Sequence, residues 1–192
     1  MSQLKTRGLI PLLILGAIAA TAKWLPESVT EAIATALPTD SMPVSEHYQL
    51  VPGSVYDGDT LRVTDGTQEL KIRLCGIDAP EMEQPLGEAS RNHLRSLINQ
   101  GDGTLIVLPV ERDRYGRTVA ELFVATSTGE IHLNSQMTLD GYAYHYERYS
   151  DSCPNQSAIA LGEEQARLAR VGVWASPGAV TPWEYREAER RR

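Results

Sequence analysis

The chain has no surplus of positive charge. Its 192 residues carry 18 Lys and Arg against 25 Asp and Glu, a formal net charge of −7. The first 45 residues do not cause the deficit, because Lys5, Arg7 and Lys23 offset Glu27, Glu31 and Asp40. Residues 46–192 therefore hold 15 positive and 22 negative charges. A basic coat for salt-driven, non-specific binding to a polyanion is excluded; such a ligand has to be held locally, by a few arginines or a metal. Cysteine is scarce: only Cys75 and Cys153 are present. Two distant thiols are too few for a zinc site. An even pair suggests a disulfide if the domain lies outside the cytoplasm, with two buried free thiols as the alternative. Internal repeats and low-complexity tracts are also missing. What remains is a globular composition, 42% hydrophobic and 22% charged, long enough for one domain with appendages.

A long apolar run is missing too. The stretch "LIPLLILGAIAATA" is uncharged but short for a comfortable membrane span. It follows the positively charged "MSQLKTRG", and Ala20-Thr21-Ala22 offers small residues for cleavage. Residues 1–22 thus read as a signal peptide or as an uncleaved membrane anchor, and either places the remainder outside the cytoplasm, secreted or periplasmic. Pro26, Pro38 and Pro43 mark residues 23–46 as a linker, in which "VTEAIATAL" suits a short helix.

From Tyr48 onward, apolar and polar residues alternate. Strands are expected near 48–56, 59–64 and 69–76, with a hairpin at Asp65-Gly66. "GEASRNHLRSLINQG" places Ala89, His93, Leu94, Leu97 and Ile98 at helical spacing. "TLIVLPVER" and "TVAELFVAT" read as two further strands. "IHLNSQMTLDGY" reads as a short helix closed by Gly141, and "NQSAIALGEEQARLARVGVW" as a longer one ending at Gly172. Three strands, a helix, two strands and further helices suit an all-β barrel with helices, a five-stranded OB-fold barrel with about three helices. An open α+β sheet and an SH3-like barrel are the alternatives. The domain is expected over 47–176, with a C-terminal tail at 177–192.

Four clusters carry chemistry. Asp57-Gly58-Asp59-Thr60 opens a strand and, alone, would be a turn. "RLCGIDAPE" starts at Arg73 and ends in Asp78 and Glu81, with Pro80 stiffening the backbone between them. "ERDRYGRTVAEL" concentrates Arg112, Arg114 and Arg117 around a turn in an otherwise acidic chain. Tyr142, Tyr144, Tyr146 and Tyr149 supply aromatic faces, most of them for packing. Hard oxygen ligands at Asp59 and Asp78 suit Ca²⁺ or Mg²⁺. Glu81 is placed to take a proton from water, and Arg73 and Arg117 to fork onto phosphate oxygens. Together they form a kit for phosphodiester hydrolysis.

"YDGDTLRV", "IRLCGIDAPE" and "DRYGRTVAEL", in this order, resemble the staphylococcal nuclease (thermonuclease) family over about residues 48–175. The resemblance implies an OB barrel with three helices and a monomeric, Ca²⁺-dependent nuclease. Its substrates would be DNA and RNA, cut at the 5′ P–O bond to leave 3′-phosphates. Asp59 and Asp78 then match the calcium carboxylates, with the Ala79 carbonyl as a further ligand. Glu81 matches the general base or water-orienting acid, and Arg73 and Arg117 the phosphate clamp. Arg114 and Tyr115 match positions that hold a terminal phosphate, and Tyr149 one that lines the base pocket. Where Ala79 stands, the best-known family member has a threonine; the stretch after Glu81 is shorter than that member's loop, and the acidic balance implies a weaker grip at physiological salt. Any membrane contact is expected only through the N-terminal segment. A catalytically inactive OB-fold module that binds nucleic acid or protein is the competing reading, although it should lose an acid or arginine of the set. A calcium-stabilised structural domain would leave both arginines unexplained.

Overall fold

A computed structural model describes residues 46–192. The leader and linker readings fall outside the described residues, except Glu46, which opens the first strand. The elements are β1 (Glu46–Leu50), β2 (Thr60–Thr64), β3 (Glu69–Leu74), β4 (Ile77–Asp78), α1 (Gly87–Ile98), β5 (Thr104–Arg112), β6 (Thr118–Thr126), β7 (Gly129–His132), α2 (Leu133–Leu139), β8 (Tyr144–His145), α3 (Gln156–Ala169) and α4 (Pro182–Arg190). Short 3₁₀ turns cover Glu147–Tyr149 and Gly172–Trp174.

The sheet runs β3-β2-β1-β5-β6-β7, and a parallel pairing of β3 with β6 closes its first five strands into a barrel. The seam pairs Ile72 with Thr118, Arg73 with Val119 and Leu74 with Ala120. This is the expected five-stranded OB architecture. Alternation explains the core: Leu61 and Val63, Ile72 and Leu74, Leu105 and Val107, and Ala120, Leu122 and Val124 all point inward. Leu94, Leu97 and Ile98 of α1, Leu133 and Met137 of α2 and Ile159 of α3 complete it.

The Asp65-Gly66 hairpin forms as expected, with the Asp65 carboxylate accepting from the Thr67 and Gln68 amides at 2.7 and 2.8 Å. The first strand ends at Leu50 and does not reach 56, because Pro52 has no amide to donate and Gly53 turns the chain at φ +74°. The long helix stops at Ala169, capped by Arg170 in the left-handed region, before the expected stop at Gly172. Four α-helices stand among the described residues, where about three were expected. The additional one, α4, lies in the segment read as a tail, and a Thr181/Glu184 capping box with Pro182 in its first turn explains its start.

The two cysteines are joined. The Cys75–Cys153 disulfide, with Cα atoms 5.9 Å apart, ties the β3–β4 turn to the segment preceding α3. Gly76 makes that turn at φ +71°, and a Cβ there would meet Cys153 Sγ at 3.1 Å and Ile159 at 3.0 Å. Behind it, the buried Glu121 of β6 accepts from the Asn155 amide at 2.7 Å and the Asn155 side chain at 2.6 Å, holding the start of α3.

Candidate active site

Asp59 lies at the mouth of β2, where its carbonyl accepts from the Leu74 amide at 2.9 Å. Its carboxylate accepts from Thr60 Oγ1 at 3.0 Å and from the Ala79 amide at 2.7 Å. Asp78 is fixed by β4, paired with Tyr144 of β8, and its side chain is 1% exposed. The loop before Asp59 presses so closely on α1 and Ala79 that a Cβ on Gly58 would collide with Ser90 and with Ala79 Cβ. That contact brings the Asp59 loop against the Ala79 backbone. It is the physical reason for glycine between two aspartates.

Arg73 joins the two acids. Its Nη2 donates to Asp78 Oδ1 at 2.7 Å and to the Ile77 carbonyl at 3.0 Å, while Nη1 contacts Asp59. Burial pushes the Arg73 pKa down, opposed by Asp78 and Asp57. Asp57 lies in the same cleft. Burial raises its pKa, opposed mainly by Arg73, Thr60 and Arg117. Arg117 rests on Asp113, its Nε donating at 2.7 Å, and the Arg117 and Tyr115 amides both donate to the same carboxylate at 2.9 Å. Burial works to raise the Asp113 pKa, but the hydrogen bonds from Arg117 and Tyr115 lower it overall. The guanidinium groups of Arg114 and Arg117 lie 5.0 and 5.6 Å from the Tyr115 ring, which is 69% exposed.

All nine residues singled out from sequence line one cleft of about 840 Å³: Asp59, Arg73, Asp78, Ala79, Glu81, Arg114, Tyr115, Arg117 and Tyr149. Six arginines and six acids line it, so positive charge is concentrated here relative to the acidic domain. Of the tyrosines, Tyr144 is buried and Tyr142 stacks on His93 at 4.1 Å, so both pack the fold. Tyr146 and Tyr149 reach the cleft with rings 4.9 Å apart.

Sequence reasoning missed Asp57 as more than a turn residue, and missed Trp183, Arg186 and Arg190 of α4, which also line the cleft. Arg186 Nη2 donates to Asp78 Oδ2 at 2.7 Å, and Nη1 to Asp78 Oδ1 at 3.1 Å and Glu81 Oε1 at 2.7 Å. Burial works against the Arg186 charge, but the hydrogen bonds to Asp78 and Glu81 outweigh it and raise its pKa. Gln84 helps hold this end, donating to the Val180 carbonyl at 2.9 Å while its oxygen accepts from the Glu81 amide at 2.9 Å. No sequence pattern links residues this far apart; the Thr181/Glu184 capping-box spacing is a signal for a helix in the segment read as a tail, but not for its place at the cleft.

The donor set fits a hard divalent cation. Asp59 and Asp78 both contact Arg73, the Ala79 amide donates to Asp59, and the three residues line a cleft that contains no His, Cys or Met. Among the described residues, no three His, Cys, Asp or Glu side chains form a metal cage. A cation held at Asp59 and Asp78 would need water, backbone or substrate oxygens to complete its coordination, as hard cations accept.

Fold and cleft together define an OB-fold protein with an acid–arginine site suited to phosphate esters. Its sequence matches the family profile described as Staphylococcal nuclease homologue over residues 71–176. Micrococcal nuclease of Shigella flexneri is 33% identical over 141 residues, 71% of this chain and 79% of the relative. A protein named uncharacterized endonuclease, from Escherichia coli O157:H7, is 33% identical over 132 residues, 69% of this chain and 80% of its own length. Staphylococcal-like nuclease CAN1 of Arabidopsis thaliana is 34% identical over 123 residues, 64% of this chain but 35% of the plant protein. The chain belongs to the staphylococcal nuclease homologue family and is a nuclease, a hydrolase of phosphodiester bonds.

Proposed function

We propose that this nuclease is Ca²⁺-dependent, acts on DNA and RNA, and breaks the 5′ P–O bond to leave 3′-phosphate ends. The observation that carries the reading is the joint placement of Asp59 and Asp78 around Arg73, with Glu81 and Arg117 lining the same cleft. Asp59, Asp78 and the Ala79 carbonyl would hold Ca²⁺. When bound, the cation supplies positive charge that draws electron density from a phosphate oxygen.

The chain's own groups do the rest. Glu81 is two-thirds buried and takes a proton from the attacking water, or orients it. Arg73 lies under the two acids and presents its guanidinium to the phosphate. Arg117 reaches the phosphate from the facing turn by leaving Asp113, and offsets charge that builds on the ester oxygens. Arg114 and Tyr115 are exposed on that turn and suit a terminal phosphate, while Tyr149 offers a ring for a base. The N-terminal segment and the Cys75–Cys153 bond favour work outside the cytoplasm, where disulfides persist.

The test is digestion of single-stranded DNA, duplex DNA and RNA by the full chain with Ca²⁺, Mg²⁺ or chelator, followed by end-group analysis. Cleavage with Ca²⁺ that leaves 3′-phosphates is expected. Cleavage indifferent to chelator, or 5′-phosphate products, would overturn the reading.

A further inference from the structure

The C-terminal helix α4 places a cation of its own, Arg186, on Asp78, one of the two acids proposed to hold the metal. Asp78 is almost wholly buried, and a buried carboxylate needs a positive partner. Arg73 takes one of its oxygens, and Arg186 reaches both, 108 residues away in the chain. Arg186 also holds Glu81, the acid proposed to act on water. With both Asp78 oxygens engaged by guanidinium groups, a divalent ion can reach that carboxylate only if Arg186 leaves.

A second contact points the same way. The Trp183 indole lies parallel to the Tyr146 ring, with centroids 5.0 Å apart and planes 7° apart. An aromatic face stacked in this way is closed to a nucleobase, which would use the same surface. One helix turn thus covers both the acids and an aromatic face.

The helix is held lightly. Pro182 is buried, Trp183, Tyr185 and Arg186 are half-buried, and Glu184 and Glu187 to Arg190 face solvent. An element with so few buried contacts opens at low free-energy cost.

We propose that α4 is a latch: the Arg186 guanidinium occupies the position of the divalent cation, helix and cation exclude each other, and the cleft opens when the cation displaces the helix. This rests on the reading of Asp59 and Asp78 as the cation ligands. The exchange is electrostatically balanced, since Asp78 passes from one positive partner to another and is never left bare. The latched protein binds the cation with an affinity reduced by the fraction of molecules already open.

Two measurements on the full chain test it. Ca²⁺ affinity is read by calorimetry for wild type, Arg186→Gln and Arg186→Lys. The Gln variant should bind about tenfold more tightly or better, with Lys between, because Lys keeps the charge but loses the fork. Tryptic cleavage within 182–192 of wild type should accelerate about tenfold on Ca²⁺ saturation, as a released helix becomes accessible. Unchanged or weaker Ca²⁺ binding in Arg186→Gln overturns the latch while leaving the nuclease reading standing. A helix equally protected with and without Ca²⁺ does the same without any variant. Absence of Ca²⁺ binding in every protein overturns both.

Discussion

Arg117 and Asp113 are bound twice over: the Nε of Arg117 donates to Asp113 Oδ2 at 2.7 Å and its amide donates to Oδ1 at 2.9 Å. One carboxylate therefore shapes the turn and parks the arginine at the edge of the cleft. For Arg117 to act on substrate, its side chain exchanges Asp113 for phosphate while the backbone bond keeps the turn. Arg117→Ala is expected to lower kcat by about 10² or more with little change in KM, the signature of a contact made in the transition state. Steady-state kinetics on a short oligonucleotide gives the split. A loss confined to KM would reduce Arg117 to a substrate anchor.

Glu81→Gln should bind Ca²⁺ at least as tightly as wild type, since Arg186 loses one of its anchors, and cut turnover by about 10²- to 10⁴-fold, the usual contribution of a general base. Calorimetry and kinetics on the same preparation check both halves. Activity within a few-fold of wild type would remove Glu81 from its role.

The Cys75–Cys153 bond closes a loop with a sequence separation of 78 residues. Chain-entropy arguments value such a closure at about 4 kcal/mol, or roughly 10–15 °C in Tm for a domain of this size. Cys75→Ala/Cys153→Ala should melt lower by that order in calorimetry. The bond also joins the turn leading to Asp78 to the segment after Tyr149, so activity should fall further than stability alone explains at a temperature where the variant is folded. A variant with wild-type Tm would show the tie to be energetically idle.

His132 provides a pH dependence away from the cleft. Its Nε2 is buried without a hydrogen-bond partner, 3.6 Å from Glu121. Burial pushes the His132 pKa down, and the Glu121 charge only partly opposes this. The folded state then stays neutral at a pH where the unfolded chain, with a His pKa near ~6.5, already binds the proton. Stability is full above that value and falls as pH drops through it toward the lowered folded pKa. Urea unfolding at pH 7 and pH 5 should show a larger loss for wild type than for His132→Gln. Parallel losses in the two proteins would clear His132 of the effect.

The barrel was legible in sequence because its strands alternate cleanly and its turns carry Asp-Gly or Gly at the residues that need them. β4 and β8, two residues each, have no room for a periodicity and emerge only from pairing. Asp59, Arg73, Asp78, Glu81, Arg114 and Arg117 of the cleft were legible because three short motifs carry them at or near strand ends. Arg186 was not. It stands in "EYREAERRR", a charge run that reads as a solvated face, and Arg191 and Arg192 of the same run do face solvent. Asp57 was hidden for a different reason: a D-G-D turn explains itself locally, so nothing in the sequence demanded that its first aspartate look into the cleft. Whether Cys75 met Cys153 depended on the Gly76 turn being open enough to admit Sγ, a distance no spacing encodes.

The parallel seam has a consequence for inactivation. Arg73 is a rung of the bonds that shut the barrel, paired to Val119, and the chain reaches Asp78 four residues after Leu74. Parting the two edges would pull the guanidinium from both acids at once. Heat inactivation and melting should therefore trace one curve, with no temperature interval in which an intact cylinder carries a spoiled centre.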